Sequence, residues 1–233
     1  MSRHAKKLNN RGFTIVELMI ATAVLSIILL MATVIITGIS NLYYKGINTA
    51  RIQTATRTTV DEIAQNIQLS GKAYPNPPDP AQPQGVNNPG AVCANGYRYT
   101  YVRGIEIGTG SPHVLWRDAY VVSGGSCPPV SGWPNPTSSG QELMPPKSRL
   151  TQFDVSPDAS NTAYVVTVNM AYGDDDQLCN TSAIAGDACG GGATMAYPDD
   201  YIGTTVVCRS GSGNQFCATT NLTTTVLPRL VGG

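Results

Sequence analysis

The chain has 233 residues, with 15 Lys and Arg against 15 Asp and Glu, so its formal net charge is zero and charged residues make up only 13% of it. That is about half the charged share of an ordinary soluble domain. The balanced total argues against a nucleic-acid binder run by bulk electrostatics, and 24 Gly with 16 Pro in no regular period argue against a collagen-like chain. One or two domains with a real core fit this length.

The charge is unevenly spread. Residues 1–12 carry Arg3, Lys6, Lys7 and Arg11 with no acid, and from Phe13 to Tyr44 only Glu17 is charged at neutral pH. Beyond Gly12 eleven bases remain against fifteen acids, a net charge of −4. Between Leu150 and Cys208 eight acids occur (Asp154, Asp158, Asp174, Asp175, Asp176, Asp187, Asp199, Asp200) and no Lys or Arg.

The apolar run Phe13 to Ser40 is 28 residues. As a helix it is roughly 42 Å long, against about 30 Å of bilayer hydrocarbon. Four bases precede it and Tyr43-Tyr44-Lys45 follow as an interfacial belt, which places the short N-terminus in the cytoplasm and the remainder outside. All six cysteines (Cys93, Cys127, Cys179, Cys189, Cys208, Cys217) lie beyond the span, where an oxidising compartment permits disulfides. A removable secretory signal needs a shorter apolar stretch, and the only A-x-A, Ala21–Ala23, follows just eight residues of it. A plain anchor leaves Glu17 unexplained, because a carboxylate inside a membrane helix is costly and marks a function by default.

The segment Arg11-Gly12-Phe13-Thr14-Ile15-Val16-Glu17-Leu18-Met19-Ile20 resembles the N-terminal signature of type IV pilins and pseudopilins. The resemblance implies that a prepilin peptidase cuts after Gly12 and methylates Phe13, the new first residue. It also implies that Glu17, one turn on, pairs with the N-terminal amine of a neighbouring subunit in a filament. Physics gives this pairing a reason, since an ammonium buried in an apolar zone is tolerable only when matched. Glycine before the cut lets the backbone approach a protease closely. Many pilins carry a helix-breaking proline midway through this helix; here none occurs before Pro75, and Thr33, Thr37 and Gly38 are the weak points.

Past the belt, Ile52, Val60, Ile63 and Ile67, with Ala55, Thr56 and Ala64 beside them, share one helical face, while Arg51, Arg57, Asp61 and Gln65 lie off it. The helix is expected to end at Ser70-Gly71 and to pack its stripe on a sheet. The stretch from Arg51 to Gly71 is similar to the region after the membrane helix in larger minor pilins and in J/W-type pseudopilin-like subunits. Six prolines between 75 and 89 forbid helix and central strand, so an extended loop is expected there. Strands are predicted at Tyr97–Ile107, Val114–Ser123, Ala163–Tyr172, Ile202–Arg209 and Leu222–Val231, with long insertions at 124–150 and 173–201. The predicted fold is α+β, a long N-terminal helix packed on an antiparallel sheet head with disulfide-stapled loops. Its divisions are a leader 1–12, a membrane or filament-core helix 13–44, an amphipathic continuation 45–72 and a β-rich head 73–233.

The cysteines show no C-x₂-C spacing and only His113 follows the leader, so disulfides are expected rather than zinc. Pairing Cys93 with Cys127 leaves the last four among themselves, with Cys179–Cys189 plus Cys208–Cys217 and the crossed alternatives all open. Asp174-Asp175-Asp176 reads as a solvated acidic turn in preference to a calcium loop, whose regular spacing is absent. In Tyr97-Arg98-Tyr99-Thr100-Tyr101-Val102-Arg103 the aromatics alternate with bases as in single-strand binders, but sheet alternation accounts for the pattern. No nucleophile or phosphate-loop motif is present, the G-x-G triplets at 108–110 and 211–213 are isolated, and no catalytic residue, cofactor or metal ligand is assigned.

The expectation is therefore a non-enzymatic precursor in the inner membrane, N-in and C-out, cleaved and built into an extracellular or periplasmic filament. Its expected partners are prepilin peptidase, other pilin subunits and the pilus assembly machinery. A minor pilin at a tip, in initiation or in adhesion is preferred. A type II secretion pseudopilin is the alternative, and a single-pass tether for a receptor or enzyme domain the reading from another class.

Overall fold

The structure, a computed structural model, describes residues 13–83, 85–108, 111–180, 202, 206–209 and 213–229. Helix α1, Ile15–Ser70, is followed by β1 Tyr74–Asn76, β2 Gly90–Ala94, β3 Tyr97–Tyr101, β4 Leu115–Ala119 and β5 Gly140–Glu142. Then come β6 Ser148–Pro157, β7 Tyr164–Tyr172, β8 Leu178–Asn180, β9 Val206–Cys208 and β10 Ala218–Val226. The chain divides into two compact units, 1–43 and 44–233. The long apolar helix, the antiparallel sheets and the disulfides make the fold α+β.

In the second unit α1 buries Ile52, Thr56, Thr59, Val60, Ile63, Asn66 and Ile67, the stripe read from the sequence with Thr59 and Asn66 added. The helix stops where expected. Gly71 has φ 69° and donates its N–H to the Ile67 carbonyl at 3.0 Å, a left-handed cap that glycine adopts without strain.

The stripe meets a five-stranded antiparallel meander, β1-β2-β3-β4-β5. Period-two alternation sends Val92, Ala94, Tyr99, Tyr101 and Leu115 into the core with Ile52, Val60, Ile63 and Ile67. The opposite face carries Ala91 and Cys93, which form a second buried cluster with Cys127 and with Tyr120 and Val122 of the loop that crosses it. The Cys93–Cys127 disulfide fastens that loop to the sheet. Arg98 is buried on this face; it donates through Nε to Asp118 Oδ1 at 3.0 Å and through Nη2 to Oδ2, and its guanidinium lies 4.4 Å from the Tyr120 ring centroid.

A three-stranded sheet, β10-β7-β6, adds Phe153, Val155, Val166, Val168 and Met170 to the main core. The pair β8–β9 covers Ala171 with Leu178, Cys179, Val206 and Cys217. Among the described residues the head thus holds three sheets where one was expected.

Several boundaries differ from the sequence reading, each for a physical reason. The strand predicted at Tyr97–Ile107 ends at Tyr101, since Gly104 turns the chain with φ 77°. β4 keeps only Leu115–Ala119 of Val114–Ser123, and within the predicted Ile202–Arg209 β9 is Val206–Cys208, with 203–205 outside the described residues. β10 starts four residues before the predicted Leu222, because Thr219, Thr220 and Asn221 pair with β7 although they are polar. Within the proline-rich stretch, Pro75 sits in β1, an edge strand, where its missing N–H costs nothing. β1, β2, β5, β6 and β8 have no counterpart among the predicted strands; β5 lies within and β6 begins inside the expected insertion 124–150, and β8 lies within 173–201. The register of β6 shifts between Leu150 and Gln152, and this bulge breaks the alternation that identifies a strand.

Because Asp118 is 1% exposed and Arg98 9%, removing one partner strands a buried charge. Asp118→Ala is expected to cost about 3–5 kcal/mol in urea denaturation, whereas the apolar pair Arg98→Met with Asp118→Leu recovers most of that loss. Equal losses for the two variants would show that packing, not charge, dominates there.

Candidate processing and assembly site

Gly12, with the rest of the basic leader, lies outside the described residues. Phe13 is 90% exposed and two residues ahead of the helix. Thr14 and Glu17 close the helix start reciprocally. Thr14 donates its N–H and its hydroxyl to Glu17 Oε2, each at 2.9 Å, and Glu17 donates its N–H to Thr14 Oγ1 at 3.2 Å. This capping box satisfies two helix-end donors and sets a carboxylate against the positive end of the helix dipole. The T-x-x-E spacing that signals it is visible in the sequence, where Glu17 was assigned only an intermolecular role. Both carboxylate bonds fall on Oε2.

From Ile15 to Leu42 every large apolar side chain is at least half exposed. An 18-residue window of this helix has mean hydropathy 2.7 with none of it buried, so by length and composition it is able to cross a membrane. Its hydroxyls are satisfied locally: Ser26 and Thr33 donate to carbonyls one turn back at 2.8 and 2.9 Å, and Thr37 does the same at 3.1 Å. The helix continues through Thr33, Thr37 and Gly38 without a break.

The remaining sequence candidates lie in the second unit. Cys93–Cys127 and Cys208–Cys217 are bonded, each with Cα atoms 5.7 Å apart. Cys179 is also disulfide-bonded, while Cys189 lies outside the described residues. Asp187, Asp199 and Asp200 are outside them as well. In the acidic turn, Asp175 accepts from Arg149 Nη2 at 2.7 Å and Asp174 lies 3.6 Å from Lys147. Those carboxylates face basic residues, and among the described residues no group of three or more His, Cys, Asp or Glu is placed to hold a metal ion. In the aromatic-basic ladder Tyr99 and Tyr101 are core residues and Arg98 is in its buried ion pair, while Tyr97 is exposed with the Arg117 guanidinium 5.3 Å from its ring centroid.

Sequence reasoning passed over Glu142. Its carboxylate accepts N–H groups from Val114 at 2.9 Å, Leu115 at 3.1 Å and Met144 at 3.0 Å, joining β5 to the start of β4. His113 Nδ1 stands 3.5 Å away, and its ring is 4.4 Å from that of Trp116. Burial pushes the Glu142 carboxyl up to about 7, against the opposing pull of those N–H donors. A carboxyl raised in the folded state favours folding when protonated. Its contribution is complete below the ordinary carboxylate range, declines as pH rises towards 7 and is level above it. Glu142→Gln keeps an acceptor oxygen without the charge. Relative to this variant, the wild type is expected to lose on the order of 2–3 kcal/mol of stability between pH 4.5 and 7.5, read from paired urea melts. Parallel pH profiles would refute the assignment.

No curated protein and no solved structure matches the chain. The family description "prokaryotic N-terminal methylation motif" matches residues 7–33, an interval that spans the leader's end, the capped helix start and most of the exposed apolar run. The protein thus carries the leader motif of type IV pilins and pseudopilins.

Proposed function

We propose that the protein is a structural subunit without enzymatic activity, made as an inner-membrane precursor, cut by prepilin peptidase after Gly12 and methylated at Phe13. Its 13–44 helix then carries it from the membrane into a filament. The observation that supports this best is the coincidence of the matched motif with an apolar helix that begins, capped, three residues after the cut. Loss of the leader removes four bases and leaves a chain of 221 residues with an acidic balance. That length, together with the long loops between strands, favours a minor pilin over a compact major one.

Glu17 fits a double duty in this scheme. Its Oε2 holds the local cap, and its Oε1 is suited to accept the methylated amine of an incoming neighbour, which keeps its charge. Co-expression with a prepilin peptidase is expected to give a mature N-terminus at N-methylated Phe13 by mass spectrometry, and Gly12→Val an intact precursor. Glu17→Ala is expected to be processed yet depleted from sheared filaments by at least ten-fold. An intact Met1 in the presence of the peptidase would instead assign the helix to a simple tether, and normal incorporation of Glu17→Ala would remove its assembly role.

A further inference from the structure

Within the second unit, the first turns of its helical segment, the corner after β7 and the 3₁₀ turn Asn214–Phe216 enclose an open cavity of about 510 Å³. That size lies in the usual range of small-molecule sites, about 300–1,000 Å³. One side is aromatic: Tyr44 and Phe216 stand 5.7 Å apart between centroids at 47°, with Tyr172 beside them. The other side is polar, formed by Lys147, Asp174 and Gln177.

Three further observations set this cavity apart from an ordinary surface dent. Lys147 holds φ 62°, a left-handed conformation that costs a non-glycine residue energy and clusters at binding sites. Gly173 has φ 133°, and a Cβ there would sit 3.1 Å from Gln177 Oε1, so the wall requires bare backbone. Gln177 Oε1 is buried with no hydrogen-bond partner, an acceptor left unsatisfied at the cavity wall.

Charge selects the ligand. Lys147 Nζ and Asp174 Oδ1 lie 3.6 Å apart, so their charges cancel; a phosphate meets the carboxylate and a metal ion meets the ammonium. What fits is a neutral molecule with an apolar face for the rings and an edge that both donates and accepts. We propose that the cavity binds a pyranose unit of a neutral glycan. The sugar's C–H face lies on Phe216 and Tyr44, and its hydroxyls engage the exposed Lys147 and Asp174. Nothing in this depends on whether the chain ends in a filament or as a tether.

The test uses the full-length protein in a detergent without a sugar headgroup and saturation-transfer difference NMR with methyl glucoside, galactoside, mannoside and the two N-acetylhexosaminides. Transfer to ring C–H protons of at least one sugar is expected, with affinity at least ten-fold weaker in Phe216→Ala and in Asp174→Asn at unchanged unfolding midpoints. Asp174 is more than half exposed, so its variant keeps the test valid if Phe216→Ala fails to fold. The same sugar presented on a free oligosaccharide and on vesicle-borne glycolipid separates a soluble glycan from a lipid headgroup. Absence of transfer for all five sugars, equal binding by wild type and Asp174→Asn, or displacement by inorganic phosphate overturns the proposal.

Discussion

Burying one large apolar side chain gains about 1.5–3 kcal/mol, and from Phe13 to Leu42 every such side chain is at least half exposed. Among the described residues no other apolar surface is left exposed on this scale. Backbone groups are paired along the helix, the hydroxyls of Thr22, Ser26, Thr33 and Thr37 turn back onto carbonyls, and Thr14 and Glu17 close the end on each other. What remains is apolar surface, and it needs lipid or other helices. Between helices in lipid there is little hydrophobic gain, because acyl chains are as apolar as leucine. The same residues therefore suit both anchorage in lipid and packing against other helices.

Beyond Tyr44 the same helix solves its problem internally, and polar contacts fix how it lies on the sheet. Glu62 Oε1 accepts from Tyr99 Oη at 3.0 Å and from Arg117 Nη1 at 2.9 Å, while Asn66 donates to Tyr99 Oη at 2.6 Å and Asn95 donates to Asn66 at 3.0 Å. Tyr99 is fully buried, and burial, with Glu62 close by, pushes its hydroxyl up so that it stays a neutral donor. Apolar stripes alone tolerate sliding by a turn. A network whose members lose their partners on sliding does not, since each stranded buried group carries a desolvation cost.

The sequence shows long periodic features well and local chemistry less well. The apolar run, the stripe from Ile52 to Ile67, the stop at Gly71 and the strand at Ala163–Tyr172 follow from period and composition, which one chain displays directly. The β2–β3 hairpin was equally accessible: Asn95-Gly96 adopts φ 49° and 76°, the two-residue turn that this dipeptide favours. β6 was hidden by its bulge, because Thr151 displaces Phe153 and Val155 from the alternation set by Leu150. The role of Glu17 was divided, with its place in a known signature outweighing the simpler T-x-x-E spacing. Glu142 carries no sequence signal, since its chemistry arises only when β5 closes against the start of β4.

The acidic stretch shows why counting charges along a window misleads. Eight acids and no base lie between Leu150 and Cys208, yet Asp174 and Asp175 are answered by Lys147 and Arg149, just before the window opens. Antiparallel pairing of β6 with β7 brings the start of one strand to the end of the other, so residues some 26 apart in sequence become neighbours. Arg149 is 2% exposed and is held by Glu106 at 3.0 Å, Asp175 at 2.7 Å and the Gly173 carbonyl at 3.3 Å. A guanidinium that deeply buried requires such acceptors, because an unpaired charge there costs far more than its neighbours recover. Asp175 of the triple-aspartate turn is therefore, with Glu106, part of the counter-charge that allows Arg149 into the core.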